Sequence, residues 1–158
     1  GVSEKNGIKV EVETDGRNPD LLKRLITERM VDRGIMELKG PKDLYSRILN
    51  IEIDLHHIEE TMNLIAGVTE YRFQTTLAPI LRSDEKWSYL TPEEIGETAA
   101  WLTQATDTNK HPYIIRQPAP PKAKGEDLPD TQSPAPMNLF AYRTKARPHQ
   151  VRTEIEKQ

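Results

Sequence analysis

A dense group of histidine and acidic residues is the first place in this sequence where metal or acid–base chemistry could occur. Six such residues fall within nine consecutive positions: Glu52, Asp54, His56, His57, Glu59 and Glu60. Three of them are spaced by four residues, so on a helix they would form one stripe that could bind a divalent cation: Glu52, His56 and Glu60. Charged side chains at this spacing are also routine on a solvated helix face, and the sequence favours that alternative.

Motifs for nucleotide or acyl-transfer chemistry are missing from the sequence. It contains no glycine-rich phosphate loop, no dinucleotide fingerprint and no Gly-x-Ser-x-Gly segment. It also contains no cysteine, which excludes disulfide scaffolds and thiol nucleophiles and fits an intracellular, reducing compartment. No run approaches the roughly 18 apolar residues of a membrane span, so we expect a soluble chain without membrane contact. These absences weigh only against enzymes that need such motifs, and carboxylate-based hydrolases are not excluded. We expect a non-catalytic protein without a cofactor, and a metal-dependent enzyme using Glu52–Glu60 is the third alternative.

The last 22 residues combine an apolar cluster with a basic extension. The apolar residues are Met137, Leu139, Phe140 and Tyr142. The basic residues that follow include Arg143, Lys145, Arg147 and Arg152. Apolar anchors with a basic extension can dock into a groove on a protein partner, and the basic residues alone could contact nucleic acid.

Proline content and charge both change near residue 110. Residues 118–136 contain six prolines, which favour extended backbone and have little to bury. Residues 1–110 carry a net charge of −6, and residues 111–158 carry +3. We therefore expect a folded body over 1–110, an extended proline-rich linker over 111–136, and a basic interaction segment over 137–158.

The strongest periodic signal is a heptad pattern in the middle of the chain. Its apolar residues are spaced 4, 3, 4, 3, 4 and 3: Leu44, Ile48, Ile51, Leu55, Ile58, Met62 and Ile65. This seam predicts one helix over residues 41–66, about 39 Å long at 1.5 Å per residue. The seam could pack against other helices of the same chain, or it could pair with a second copy or a partner protein as a coiled coil.

The remaining signals outline the elements around that helix. Alternation at residues 8–14 predicts a strand, which residues 35–38 could join as a second strand. Capping signals predict helices over residues 19–33 and 92–105. Residues 68–81 fit both the alternating pattern of a strand and the pattern of one helix face. We favour a helix there because helices surround this segment. The predicted fold class is mainly α, a small helical bundle with a minor two-stranded element and an extended proline-rich arm.

These features together favour a non-catalytic assembly or adaptor protein. It would oligomerise or bind a protein partner through the heptad seam and engage a second partner with its carboxyl-terminal arm. The alternative is a nucleic-acid-associated protein that uses the basic residues of that arm.

Overall fold

Strands and helices alternate along the residues that the computed structural model describes, which are 9–118 and 138–157. The strands are β1 (Glu11–Thr14), β2 (Arg33–Glu37), β3 (Glu70–Thr76), β4 (Pro79–Leu81), β5 (Trp87–Tyr89), β6 (Tyr113–Arg116) and β7 (Thr153–Glu156). The α-helices are α1 (Pro19–Thr27), α2 (Tyr45–Leu49), α3 (Leu55–Ala66), α4 (Pro92–Thr106) and α5 (Leu139–Ala146), and a 3-10 turn at Lys42–Leu44 precedes α2.

Five of the strands form one parallel sheet in the order β1-β2-β3-β6-β7. Each new strand is added on the same side of the previous one, so right-handed crossovers place the connecting helices on one face of the sheet. The contacts agree, because α1 packs against α3, α3 against α4, and α4 against α5. Strands β4 and β5 form a separate antiparallel hairpin after β3.

The predicted mainly helical bundle is therefore wrong, because the fold is α/β with a parallel sheet. The error is largest at residues 68–81, which form the central strand β3 and the first strand of the hairpin instead of a helix. On β3, Phe73 and Thr75 are buried on the helix side, while Arg72 and Gln74 lie on the other side. The side chains of β3 therefore alternate with a period of two residues. Pairing with a neighbouring strand on each edge favours this strand conformation over a helix.

The single long helix and its coiled coil are also wrong. The helix ends at Leu49 because Asn50 adopts a left-handed conformation with φ 56°, and a new helix starts after Asp54, whose carboxylate accepts a hydrogen bond from the His56 N–H at 2.9 Å. Six of the seven seam residues pack in or against this chain's own core, three of them completely buried at Ile58, Met62 and Ile65. Ile51 lies in the break and is 45% exposed.

The two faces of the sheet differ sharply in chemistry. The helix-facing residues Met36, Phe73, Tyr113 and Ile115 are fully buried in the core. The other face carries charged residues, and Arg33 there lies 3.0 Å from Glu11 and 3.7 Å from Glu70 on the two neighbouring strands. Opposite charges directly across neighbouring strands stabilise the sheet by a modest amount.

Residues 137–158, predicted as an interaction segment, contribute α5 and the edge strand β7 to this fold where they are described. Gln150 is fully buried and fastens this segment to the rest of the fold. Its side chain accepts a hydrogen bond from the His111 N–H and donates to Thr103 Oγ1 and the Thr108 carbonyl. Most of the predicted linker, and Met137, lie outside the described residues.

His111 is a buried histidine that joins this network. It is 1% exposed, and its ring lies 2.9 Å from Tyr71 Oη and 2.7 Å from Thr106 Oγ1. Burial lowers the pKa of His111 from its ordinary 6.5, and the charge of Arg152 lowers it further. The imidazole of His111 therefore binds a proton less readily in the folded protein than in the unfolded chain.

We expect the free energy of unfolding to fall as the pH drops below about 6.5, because protonation of His111 then favours the unfolded chain. Above the unfolded pKa this contribution to stability is fully present, and it is lost between pH 6.5 and the lowered folded pKa. Urea titrations at several pH values across this range measure how steeply the free energy of unfolding changes with pH. This pH dependence should become flatter in His111→Gln and persist in His149→Gln, which changes an exposed histidine. An unchanged slope in His111→Gln would contradict the assignment.

Candidate protein-docking surface

The β4–β5 hairpin has one buried face and one exposed face. Ile80 is 3% exposed and points into the core, so alternation places its neighbours on the opposite side. The register pairs Pro79 with Tyr89 and Leu81 with Trp87. These four residues form one surface, which we call the hairpin outer face. Trp87 is 45% exposed and Leu81 is 38% exposed, so directly paired large apolar side chains face solvent.

A network around Arg82 holds the hairpin against α4. Its guanidinium donates to Glu94 Oε1 at 2.8 Å and to the Tyr89 carbonyl at 2.9 Å, and its Nε donates to Ser88 Oγ at 2.8 Å. Burial alone would raise the pKa of Glu94, but hydrogen bonds from Arg82 and from the Thr91 N–H hold it below its usual value. These contacts fix the position of the hairpin relative to α4.

The composition of the hairpin outer face suits peptide binding. Tryptophan and tyrosine supply large rigid surfaces, and the tryptophan N–H can donate to a peptide carbonyl. Proline-rich peptides in polyproline II conformation bind protein surfaces lined by aromatic side chains. Sequence reasoning did not single out these residues. Two short β-prone segments on either side of the turn at 83–86 were the available signal.

A polar groove at the carboxyl ends of the parallel strands is a second candidate. It has a volume of about 370 Å³ and is lined by Glu13, Thr14, Asp15, Glu37, Lys39, Gln74, Thr76 and Arg116. Gln74 is 1% exposed and its amide donates to Glu37 at 2.9 Å. Because no aromatic or large apolar side chain lines the groove, it lacks the contacts that dominate small-molecule sites.

The metal-binding stripe that the sequence left as the less favoured alternative is not assembled. Glu52 lies in the segment before α3, so it does not share a helix with His56 and Glu60. The His56 side chain is 91% exposed, and Glu59 accepts a hydrogen bond from the Trp101 indole at 2.9 Å. Within residues 9–118 and 138–157, no group of three or more histidine and acidic side chains is arranged to hold a metal ion.

The apolar residues predicted as tail anchors divide between core and surface. Leu139 and Tyr142 are buried, and Tyr142 Oη donates to the Leu90 carbonyl at 2.7 Å. Phe140 is 54% exposed, with the Arg143 guanidinium 4.8 Å from its ring centre. Two of these anchors therefore contribute to the fold.

The basic residues predicted for nucleic-acid binding all contact this chain. Arg147 donates to Glu154 at 2.8 Å, Arg143 lies 3.6 Å from the same residue, and Lys145 lies 4.0 Å from Glu93. Arg152 donates to the Lys110 carbonyl. Nucleic-acid binding stays a prediction, and these contacts give it no added support.

No family model and no curated protein matches this chain. The functional assignment therefore depends on the geometry of the hairpin and its surroundings. Within the part of the chain that is described, none of the helices has the length and apolar character needed to cross a membrane.

Proposed function

We propose that this protein is a non-catalytic adaptor that binds a proline-rich segment of a partner protein through the hairpin outer face. The observation that carries the proposal is the exposed cross-strand pair of Leu81 and Trp87, extended along the same face by Tyr89. Exposed aromatic and aliphatic side chains in contact with one another are typical of the centres of protein-binding surfaces.

The backbone of a proline-rich peptide is complementary to this surface in two respects. Its polyproline II conformation exists before binding, so little chain entropy is lost on contact. Its proline rings present apolar edges to Trp87 and Tyr89, while its carbonyls, which have no internal hydrogen-bond partners, are free to accept from the tryptophan N–H.

The adaptor hypothesis now depends on a different surface from the one that the sequence indicated. The heptad seam packs largely inside the chain, and much of the carboxyl-terminal segment forms α5 and β7. The hairpin, by contrast, is supported by Arg82 and Glu94 and keeps its apolar face in solvent. We therefore assign partner binding to the hairpin.

Binding of a synthetic peptide with an Ala-Pro-Pro repeat, measured by isothermal titration calorimetry, tests the proposal. We expect Trp87→Ala to raise Kd about 30-fold, which corresponds to about 2 kcal/mol for a central interface residue. Leu81→Ala and Leu21→Ala form a matched pair, because both leucines are exposed but only Leu81 lies on the hairpin. Leu81→Ala should weaken binding, and Leu21→Ala should leave it unchanged.

A peptide of the same length in which the second proline of each Ala-Pro-Pro repeat is replaced by alanine serves as the ligand control. Equal weakening by Leu81→Ala and Leu21→Ala would contradict a binding site at the hairpin. Failure of the repeat peptide to bind the wild-type protein would overturn the proposed function.

A further inference from the structure

We infer that the polar groove at the carboxyl ends of the parallel strands binds a small zwitterion, a molecule that carries one carboxylate and one ammonium group. The residues that line the groove lie in or next to β1, β2, β3 and β6, and the hairpin contributes none of them. The inference therefore goes beyond the proposed function and does not depend on it. Ligands of open α/β sheets bind as a rule in this position, outside the carboxyl ends of the strands.

Three side chains that can bind a carboxylate stand in one row across neighbouring strands. Thr76 on β3 lies opposite Arg116 on β6. Continuing the register of β2 and β3 by two positions places Lys39 on the other side of Thr76. Neighbouring strands are about 4.8 Å apart, so one small ligand can reach all three side chains. We call these three residues the cationic end of the groove.

The polar atoms of the cationic end have few partners within the chain. Arg116 Nε is buried and forms no hydrogen bond with any described residue, although Glu156 Oε1 lies 3.4 Å away. In the same part of the chain, neither Lys39 Nζ nor Thr76 Oγ1 forms a hydrogen bond, and Lys39 forms no ion pair. Buried polar groups are normally hydrogen-bonded, and arginine and lysine bind carboxylates through strong charge-assisted hydrogen bonds. A ligand carboxylate would supply the missing partners.

The carboxylates of Glu13 and Glu37 converge on one neutral group and form the anionic end of the groove. Gln74 Nε2 donates to Glu37 Oε2 at 2.9 Å and to Glu13 Oε1 at 3.4 Å. Gln74 is 1% exposed, and its Oε1 accepts a hydrogen bond from Arg72, so the amide is held in place. Neither carboxylate forms an ion pair with a described residue. Two carboxylates around one uncharged donor repel each other, and a ligand ammonium would offset that repulsion.

The two ends together select the class of ligand. A simple anion would be attracted by Lys39 and Arg116 but repelled by Glu37, whose Oε1 accepts a hydrogen bond from the Thr76 N–H at 2.7 Å. A simple cation would be attracted by the carboxylates and repelled by Lys39 and Arg116. A zwitterion matches both ends at once.

The size and lining of the groove limit the ligand further. Its volume of about 370 Å³ is near the lower limit for ligand sites, which suits a molecule of the size of a free amino acid. Because no aromatic or large apolar side chain lines the groove, charged contacts have to supply most of the affinity.

Nuclear magnetic resonance titrations of the full chain, labelled with nitrogen-15, test the inference. The ligands are three zwitterions of increasing length: glycine, 4-aminobutyrate and 6-aminohexanoate. Butyrate and butylamine are the matched controls, because each keeps the four-carbon chain of 4-aminobutyrate but only one of its charges. We expect the tightest zwitterion to shift amide signals at the carboxyl ends of β2, β3 and β6. It should bind at least about tenfold more tightly than either control, since each control lacks one charged contact.

Two conservative variants test the two ends separately. Glu13→Gln keeps an oxygen that can accept from Gln74, and Lys39→Gln changes a side chain that has no partner among the described residues. We expect each variant to weaken binding of the tightest zwitterion about tenfold. Lys23→Gln and Glu28→Gln are the matched controls, because both residues are exposed on or directly after α1. They should leave the affinity unchanged.

The ratio of the zwitterion affinity to the butyrate affinity distinguishes charge recognition from a structural effect. Glu13→Gln removes a negative charge, so it should weaken the zwitterion and leave butyrate unchanged or tighter. Equal weakening of both ligands would overturn the inference. Failure of all three zwitterions to bind the wild type, or butyrate binding as tightly as the best of them, would also overturn it. These results would leave peptide binding at the hairpin standing, and loss of peptide binding would leave the groove standing.

Discussion

Ile58→Ala should lower the free energy of unfolding by about 2–5 kcal/mol, whereas Ile51→Ala should lower it by less than about 1 kcal/mol. The two residues belong to the same heptad seam and undergo the same substitution. Ile58 is fully buried on α3 and lies against the turn at Gly16, while Ile51 is 45% exposed in the break between α2 and α3. The difference in burial is the physical reason for the expected difference in stability.

Urea denaturation followed by circular dichroism measures both effects. A continuous heptad helix would make the two substitutions similarly costly, since both residues would occupy seam positions. Equal losses would therefore contradict the break at Asn50 and support the helix that the sequence suggests.

Gln150→Ala should lower the free energy of unfolding by about 2–4 kcal/mol. The substitution removes three hydrogen bonds and leaves the buried His111 N–H without its acceptor. These bonds connect the segment before β7 to Thr103 on α4 and to the loop that precedes β6. The loss would show that the carboxyl-terminal segment is part of the folded body.

Gln104→Ala is the matched control, because Gln104 lies on α4 and is exposed. Its expected effect is within about 0.5 kcal/mol, since alanine is a good helix former and no buried partner is lost. If thermal unfolding gave the same midpoint for Gln150→Ala and the wild type, the carboxyl-terminal segment would not be tied to the fold as described.

Local signals in the sequence located several element boundaries correctly. Asn18 accepts a hydrogen bond from the Leu21 N–H and Pro19 begins α1, as the capping pattern predicts. Thr91 and Glu94 form the reciprocal capping box at the start of α4. Strands were also predicted at residues 8–14 and 35–38, where β1 and β2 lie side by side. These features depend on residues within a few positions of each other, so the sequence alone specifies them.

The docking surface could not be derived in the same way. Trp87 and Leu81 are six residues apart, and nothing in their spacing shows that they face each other in solvent while Ile80 is buried. That arrangement depends on packing of the hairpin against the core and on the contact between Arg82 and Glu94, which is made across twelve positions.

The sequence by itself determined the caps, the turns, the position of the proline-rich segment and the absence of thiol chemistry, because each is a property of composition or of near neighbours. Only the tertiary structure decided between helix and strand at residues 70–76, broke the heptad seam at Asn50 and incorporated residues 139–156 into the fold. A parallel sheet has no local contacts between its strands, so its energy comes from pairing across crossovers such as β3 to β6. Short-range periodicity does not contain that energy, and in all three regions burial against distant strands and helices outweighed the local pattern.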